Sequence, residues 1–193
     1  MKLPVYAYGH PVLRKKCAEI DKDYPELKEL MDNMWETMYH AKGMGIAAPQ
    51  IGKNIRLFVV DTAQLDDDED EEYDDNEPVY ENGIKSVFIN PVIVAESGKK
   101  WAYEEGCLSI PDIRGKVDRL PQIRIQYYDE NFELHDQVLD GLNARVVQHE
   151  YDHIEGILFT DHLSALKKRL IKKRLLKIQS GAIDPKYKMI FPK

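Results

Sequence analysis

Gln148-His149-Glu150-Tyr151-Asp152-His153 contains two histidines four residues apart, and a glutamate directly follows the first of them. On an α-helix, four residues advance about 6 Å and return to nearly the same face, so both imidazoles can reach one metal ion. Glu150 then lies beside the ion, where it can take a proton from a metal-bound water. The alternative is a surface helix that carries two histidines by chance. The stretch favours a metal-binding helix with its own general base.

The third metal ligand is expected upstream of this helix. A catalytic site of this kind has three protein ligands and one open position. One peptidase class places a third histidine six residues after the second, but Phe159 occupies that position. Another class uses a downstream glutamate, and no glutamate follows Glu155. Upstream, Glu105-Gly106-Cys107-Leu108-Ser109 offers the thiolate of Cys107, which becomes the favoured third ligand.

Length and composition predict one domain in the cytoplasm. The 193 residues, 43% of them hydrophobic, suffice for one domain with a hydrophobic core. The sequence begins without an apolar run of signal-peptide length, and no segment approaches 18 consecutive apolar residues, so no membrane association is expected. The two cysteines, Cys17 and Cys107, are interpreted separately because a disulfide is unusual in a reducing cytosol. Cys17 has no liganding neighbour and is predicted to be an ordinary, partly buried thiol.

Hydrophobic periodicity predicts a core-facing helix near the N-terminus and several strands. In the helix, apolar residues recur at spacings of three and four, namely Leu27, Leu30, Met31, Met34, Trp35 and Met38. Asp23 with Glu26 is interpreted as its capping box, and Gly43 as its left-handed end. Strands are predicted at 55–60, 87–95, 122–128 and 132–139. The second strand has a break at Asn90-Pro91, and the last two strands form a hairpin.

The glycine-rich stretch from Gly43 to Gly52 superficially matches a dinucleotide-binding loop. That motif follows a strand and opens a helix, whereas this stretch follows a helix and meets Pro49. Its small residues do allow another backbone to approach closely. Gln50 is a neutral donor of the kind that holds a carbonyl oxygen. A tight turn before a strand remains the alternative interpretation.

Two charged segments stand out. From Asp66 to Glu77, ten of twelve residues are acidic. Their ten negative charges exceed the formal net charge of −7, so the rest of the chain is net positive. This run is predicted to be a solvated loop inserted between two strands, from about 62 to 85; it lacks the glycine and ligand spacing of a calcium loop. The second segment is a helix from about 164 to 180 with seven Lys or Arg residues, ending at Gly181.

Three separated segments together resemble the signatures of bacterial peptide deformylases, in the same order. They are Gly43-x-Gly45-x-Ala47-Ala48-x-Gln50, Glu105-Gly106-Cys107-Leu108-Ser109 and Gln148-His149-Glu150-x-Asp152-His153. Ile110-Pro111 resembles the Gram-negative type, and the acidic insertion departs from the family. The resemblance implies a single α+β domain over 1–193, with mostly antiparallel sheets packed around a central metal-binding helix and with N-terminal and C-terminal helices.

The resemblance also implies an activity: a metal-dependent hydrolase that removes the formyl group from N-terminal formyl-methionine of new polypeptides. A metal-bound hydroxide would attack, with Glu150 as general acid and base, and Gln50 and the backbone N–H of Leu108 would hold the oxyanion. The implied metal ligands are Cys107, His149 and His153, steadied by Glu105 and Arg119. The implied substrate-binding residues are Gly45, which pairs with the peptide backbone, and Met44, Tyr103, Leu142 and Val146, which line the methionine pocket. Arg145 stands where an apolar residue is expected, and its direction is left open.

One divalent ion per chain is implied, with Fe²⁺ as the physiological metal and Zn²⁺, Ni²⁺ or Co²⁺ as substitutes. The implied partners are N-formyl-methionyl nascent peptides and the ribosome, docked through the basic C-terminal helix; the alternative for that helix is a solvated face. Two other classes compete. A metallopeptidase would cleave unformylated peptides, and a structural metal module would close its fourth position with a further Cys or His.

Deleting residues 66–77 should leave the thermal midpoint nearly unchanged, because a self-repelling, solvated loop buries little apolar surface. Circular dichroism melting of the deletion variant measures this, and activity on short formyl-peptides should survive. A midpoint lowered by about 10 °C or more would show that the segment is packed against the domain.

Overall fold

The computed structural model describes residues 1–65 and 82–192, which form an α+β fold built mainly of antiparallel strands. The helices are α1 (Leu27–His40), α2 (Gly141–Ile154) and α3 (Ala165–Gln179). The strands are β1 (Val5–Tyr6), β2 (Gly45–Ala47), β3 (Leu57–Asp61), β4 (Lys85–Ser97), β5 (Trp101–Cys107), β6 (Ile110–Arg119), β7 (Gln122–Tyr128), β8 (Leu134–Asp140) and β9 (Met189–Ile190). The expected fold class is confirmed.

Helix α2, which carries the histidine motif, is the central helix. It packs against β2, β3, β7 and β8 of the five-stranded sheet, whose order is β2-β3-β4-β7-β8. Its apolar face, including Val146, Val147 and Ile154, joins a buried cluster with Phe58 and Phe88 of the sheet. Such a face is what anchors a helix in water, because burial of apolar surface outweighs intrinsic helix propensity. The histidine motif is therefore fixed against the sheet.

Strand β4 continues through the break that the sequence predicts. Asn90 adopts a left-handed φ of 50°, and the register with β7 shifts between Ile89 and Val92. This is a β-bulge, which accommodates Pro91 because the extra residue removes the need for a proline N–H in the ladder.

The predicted ends of α1 are wrong by a few residues. Asp23 lies in a separate turn, where the Asp21 carboxylate accepts from its N–H at 3.0 Å, and the helix begins after Glu26 without a side-chain cap. At the other end Lys42, with φ 58°, takes the left-handed conformation in place of Gly43. Gly43 is needed for space, since a Cβ there would lie 2.9 Å from the Cδ1 atom of Leu108.

Two smaller sheets complete the fold. Strands β5 and β6 form an antiparallel pair, and β1 pairs with β9 in parallel. Helix α3 begins and ends as predicted, with the Ser164 hydroxyl accepting from the N–H of Lys167 and with Gly181 in the left-handed conformation. Among the described residues, none of the helices combines the length and apolar content needed to cross a bilayer.

The acidic insertion is predicted between two strands, and its described flanks are β3, which ends at Asp61, and β4, which begins at Lys85. These strands are antiparallel neighbours. The acidic run itself lies outside the described residues.

Candidate metal centre

Strand β5 and helix α2 bring three ligand-type side chains together. The ligand atoms of Cys107, His149 and His153 all lie within 4.8 Å of one another. The Cys107 Sγ atom lies 3.3 Å from Nε2 of His153. One thiolate and two imidazoles are a donor set that suits zinc, iron, cobalt or nickel. The three predicted ligands therefore lie close enough together to hold a single divalent ion, and three is the number of protein ligands that catalytic sites of this kind have.

The two histidines have different surroundings. His149 makes a 3.0 Å hydrogen bond through Nδ1 to Oε2 of Glu105, which leaves its Nε2 for a metal. Burial favours neutral His149, but hydrogen bonds with Cys107 and Glu105 outweigh it and raise the pKa of His149. Burial holds the pKa of His153 well below its ordinary value, so this imidazole is neutral and able to bind a metal.

Glu105 is a buried carboxylate with three cationic or hydrogen-bonding neighbours. It accepts two bonds from Arg119, at 2.7 and 3.0 Å, and one from Arg145 at 2.9 Å, in addition to the contact with His149. Burial alone would raise the pKa of Glu105, but the bonds from His149 and Arg119 hold it well below the usual range. The expected pairing of Glu105 with Arg119 beside the ligands is present in the structure.

Arg145, whose direction the sequence left open, points towards Glu105. Its guanidinium also donates to the carbonyls of Val117 and Trp101, both at 2.8 Å, and lies 4.2 Å from the centroid of the Trp101 ring. The side chain is 2% exposed. The position where an apolar side chain was expected is thus occupied by a buried cation that pairs with Glu105.

Asp152 and His162 extend this set of hydrogen bonds towards the surface, and the sequence assigned a role to neither. Asp152 Oδ2 accepts from Arg119 Nη1 at 2.8 Å and contacts His162 Nε2 at 2.8 Å. Asp152 directly precedes His153 in the histidine motif, and this position is the sequence feature that could have indicated its role. The bond to Asp152 fixes Nη1 of Arg119, whereas Nε and Nη2 bind Glu105.

Gln50 faces the metal ligands from the 3₁₀ helix at Ala48–Ile51. Its Oε1 accepts from the N–H of Ala47 at 2.8 Å, which turns the amide nitrogen towards the site. That nitrogen lies 3.3 Å from Oγ of Ser109 and 3.5 Å from Sγ of Cys107. A neutral N–H donor is therefore held beside the position of the thiolate.

Glu150 is buried beside the metal ligands with one oxygen free. Its Oε2 atom has no hydrogen-bond partner among the described residues, and burial raises the pKa of Glu150 to about 7. Gly45 lies directly against it, since a Cβ at Gly45 would be 2.6 Å from Oε1 of Glu150. Such a carboxylate exchanges protons near neutral pH, as a general acid and base must.

One cavity of about 530 Å³ contains all the predicted substrate-binding positions. These are Met44, Gly45, Tyr103, Leu142 and Val146. Gln50, Cys107, Leu108, His149 and Glu150 line the same cavity, while His153 is buried behind it. Asp184, Pro185 and Tyr187 also line it, and no pattern in the sequence indicated these three.

Fold and site together are those of a hydrolase with a candidate metal centre. The polypeptide deformylase family model matches residues 2–169, and the chain belongs to this metal-dependent family. It is similar to peptide deformylases from Christiangramia forsetii, at 57% identity over 100% of this chain and 97% of the relative, and from Flavobacterium johnsoniae, at 53% over 99% and 96%. The solved peptide deformylase from Plasmodium falciparum is 33% identical with a TM-score of 0.79, over 92% of this chain and 95% of that one.

Replacing Glu105 by Gln should lower the free energy of unfolding by about 3 kcal/mol or more, because buried Arg145 loses its ion-pair partner and buried Arg119 keeps only Asp152. Urea unfolding at neutral pH measures this. Asp136→Asn is the matched control, since Arg124 holds Asp136 through two 2.8 Å bonds at an exposed site, where an ion pair contributes little.

The difference in stability between wild type and Glu105→Gln should also depend on pH in one direction. The folded pKa of Glu105 is depressed, so its contribution is complete above the unfolded value of about 4.3 and is lost as the pH falls through the folded value. A difference that already shrinks between pH 7 and 5 would contradict the assigned ion pairs.

Proposed function

We propose that this chain hydrolyses the formyl group from the N-terminal formyl-methionine of newly synthesised polypeptides, in the cytoplasm. The observation that carries the proposal is the free, buried oxygen of Glu150 beside Cys107 and His149 in the cavity. This is a general base within a candidate metal site, on a chain that belongs to the deformylase family. The test is hydrolysis of a formyl-methionyl peptide compared with the same peptide unformylated. Cleavage of the unformylated peptide would indicate a peptidase instead.

Cys107, His149 and His153 would hold one divalent ion. When bound, the ion supplies Lewis acidity, which brings the pKa of a coordinated water towards neutrality. We propose Fe²⁺ as the physiological metal, with Zn²⁺, Ni²⁺ or Co²⁺ able to substitute. Metal analysis of protein purified without oxygen, paired with activity measurements, tests this choice.

Glu150 would move the proton in both halves of the reaction. With a pKa of about 7, part of its population is ionised at neutral pH and can accept a proton from the attacking water. The same carboxyl group would then deliver that proton to the leaving amine nitrogen of methionine. Its burial keeps bulk water from competing for the proton.

Gln50 and Leu108 would stabilise the oxyanion that develops on the formyl oxygen. The Gln50 amide nitrogen already faces the ligands, because the N–H of Ala47 holds the oxygen of the same amide. The N–H of Leu108 follows Cys107 directly, on the same wall of the cavity. Removing one such donor costs about 10²–10³ in turnover in other hydrolases.

The substrate peptide would add to the edge of the sheet. Strand β2 (Gly45–Ala47) is at one end of the strand order, and an extended peptide would pair with its outer edge. Gly45 brings this edge close to Glu150 because it has no side chain. The methionine side chain would enter the apolar part of the cavity between Met44, Leu142 and Val146, with Tyr103 beside it.

The basic helix α3 would dock the enzyme on ribosomal RNA. Its buried face consists of Ile171, Leu175 and Ile178, and its cations lie mainly on exposed positions. Lys168 donates to the carbonyl of Asp161 and Arg174 to that of Asp112, so these two have structural contacts. A row of free cations attracts RNA without reading sequence.

Glu150→Gln should reduce turnover by about 10²–10⁴-fold while the metal content stays that of wild type, because the base is lost and the three ligands remain. Cys107→Ser should show the reverse order of effects, with metal lost first, since a hydroxyl is a poor substitute for a thiolate. Metal stoichiometry and single-turnover rates measure both. Loss of metal from Glu150→Gln would make Glu150 a ligand.

Charge reversal at Arg169, Lys172 and Lys173, all to Glu, should abolish sedimentation with ribosomes at physiological salt and leave hydrolysis of a small formyl-methionyl peptide intact. The control reverses three exposed lysines elsewhere, at Lys99, Lys100 and Lys116, for the same change in net charge. Equal ribosome binding by the first variant and wild type would end the docking proposal.

A further inference from the structure

The segment after α3 returns across the molecule to the cavity. Gly181 reverses the chain, with φ 73°, and β9 (Met189–Ile190) then pairs with β1 (Val5–Tyr6). Backbone bonds from Val5 to the Lys188 carbonyl, at 2.9 Å, and from Ala7 to the Ile190 carbonyl, at 2.8 Å, fix this return. Residues 184–187 consequently form part of the cavity wall. The segment lies beyond residues 2–169, which the family model matches.

Tyr187 is the side chain of this segment that reaches the reacting end of the cavity. Its hydroxyl donates to the backbone carbonyl of Leu108 at 2.7 Å. Its ring packs with Leu108 and Met189 against the core cluster beneath α1. Burial raises the pKa of Tyr187, so the hydroxyl remains protonated and keeps its role as a donor. The bond is therefore a persistent link between the C-terminal segment and the backbone next to Cys107.

The backbone at Leu108 and Ser109 is held from more than one side. The Ser109 carbonyl accepts from the N–H of Tyr8 at 2.9 Å, and the Ser109 hydroxyl lies 3.3 Å from the Gln50 amide. The N–H and C=O of Leu108 flank one Cα, so a bond that fixes the C=O restricts the rotations that would swing the N–H away. An oxyanion donor is effective only when its direction is fixed before the charge develops.

We propose that Tyr187 is a positioning residue for the oxyanion donor at Leu108, so that the C-terminal segment takes part in catalysis. This inference rests on the proposed deformylase function. Tyr187 acts through the Leu108 backbone and does not touch the reacting atoms. Its contribution belongs to the transition state, because only there does the formyl oxygen carry the charge that the Leu108 N–H stabilises.

The test is Tyr187→Phe, which removes one hydroxyl and keeps the ring. The kcat for a formyl-methionyl peptide should fall about three- to tenfold, while KM stays within about twofold. A change of this size in kcat is the one expected for the loss of one hydrogen bond. Tyr127→Phe is the matched control, since Tyr127 is buried and its hydroxyl, which does not line the cavity, accepts a hydrogen bond from the Gln137 amide at 3.0 Å. The control should lower the thermal midpoint similarly, by about 2–4 °C, with wild-type kcat.

Ligand affinity separates positioning from a merely structural role. Tyr187→Phe should weaken binding of a tetrahedral phosphonate analogue of the formyl-methionyl peptide by the same three- to tenfold factor, and leave affinity for the unformylated methionyl product unchanged. Equal loss of affinity for both ligands, or a kcat equal to that of wild type, would overturn the inference while the proposed function stands. Wild-type protein that does not deformylate would overturn the proposed function, and this inference with it.

Discussion

The buried carboxylate of Glu105 is the interaction on which the rest of the site depends. It joins three elements, because Glu105 lies on β5, Arg119 on β6, and Arg145 and His149 on α2. A charge taken out of water is stable only when it is paired and hydrogen-bonded. The two guanidinium groups need the carboxylate as much as it needs them. Strand and helix must therefore meet in one register, which also brings Cys107 to the two histidines.

The carboxylates and guanidinium groups of this set balance in number. Glu105 and Asp152 supply two anions, and Arg119 and Arg145 supply two cations, all buried or nearly so. Because these four charges compensate one another, the charge of a bound metal ion would be compensated by Cys107 and Glu150. Burial is the largest of the effects that raise the pKa of Glu150 to about 7, and a positive charge beside it would favour the ionised form. The protein thus separates the charges that hold the site together from those that take part in chemistry.

Sequence patterns predicted the site where its parts are local. The spacing of His149 and His153 follows directly from helix periodicity, and Glu150 is placed by the same rule. Cys107 required an argument by elimination together with the resemblance of three signatures. Arg145 could not be interpreted, because its partners Glu105 and Trp101 lie forty or more residues away in the chain. Only the fold brings these residues together.

The errors in the predicted fold have the same cause, which is that the deciding contacts are distant in the chain. Gly43 has a sequence signal that fits a helix end, yet the space it provides is for Leu108, a residue far along the chain. Tyr187 follows a helix in a segment without periodicity, so its contact with Leu108 had no local signal. Helix and strand bodies were predictable because their apolar faces repeat, whereas helix ends and cavity walls depend on long-range contacts.

The parallel pairing of β1 with β9 determines when the molecule can become complete during its own synthesis. Strand β1 is translated well before β9, so it cannot pair until β9 has left the ribosome. Helices and hairpins in between can form co-translationally, because their contacts are local. Tyr187 lies just before this late-translated strand, so its bond to Leu108 also becomes possible late. A nascent chain in which Tyr187 and β9 have not yet been translated is therefore without this part of the cavity wall.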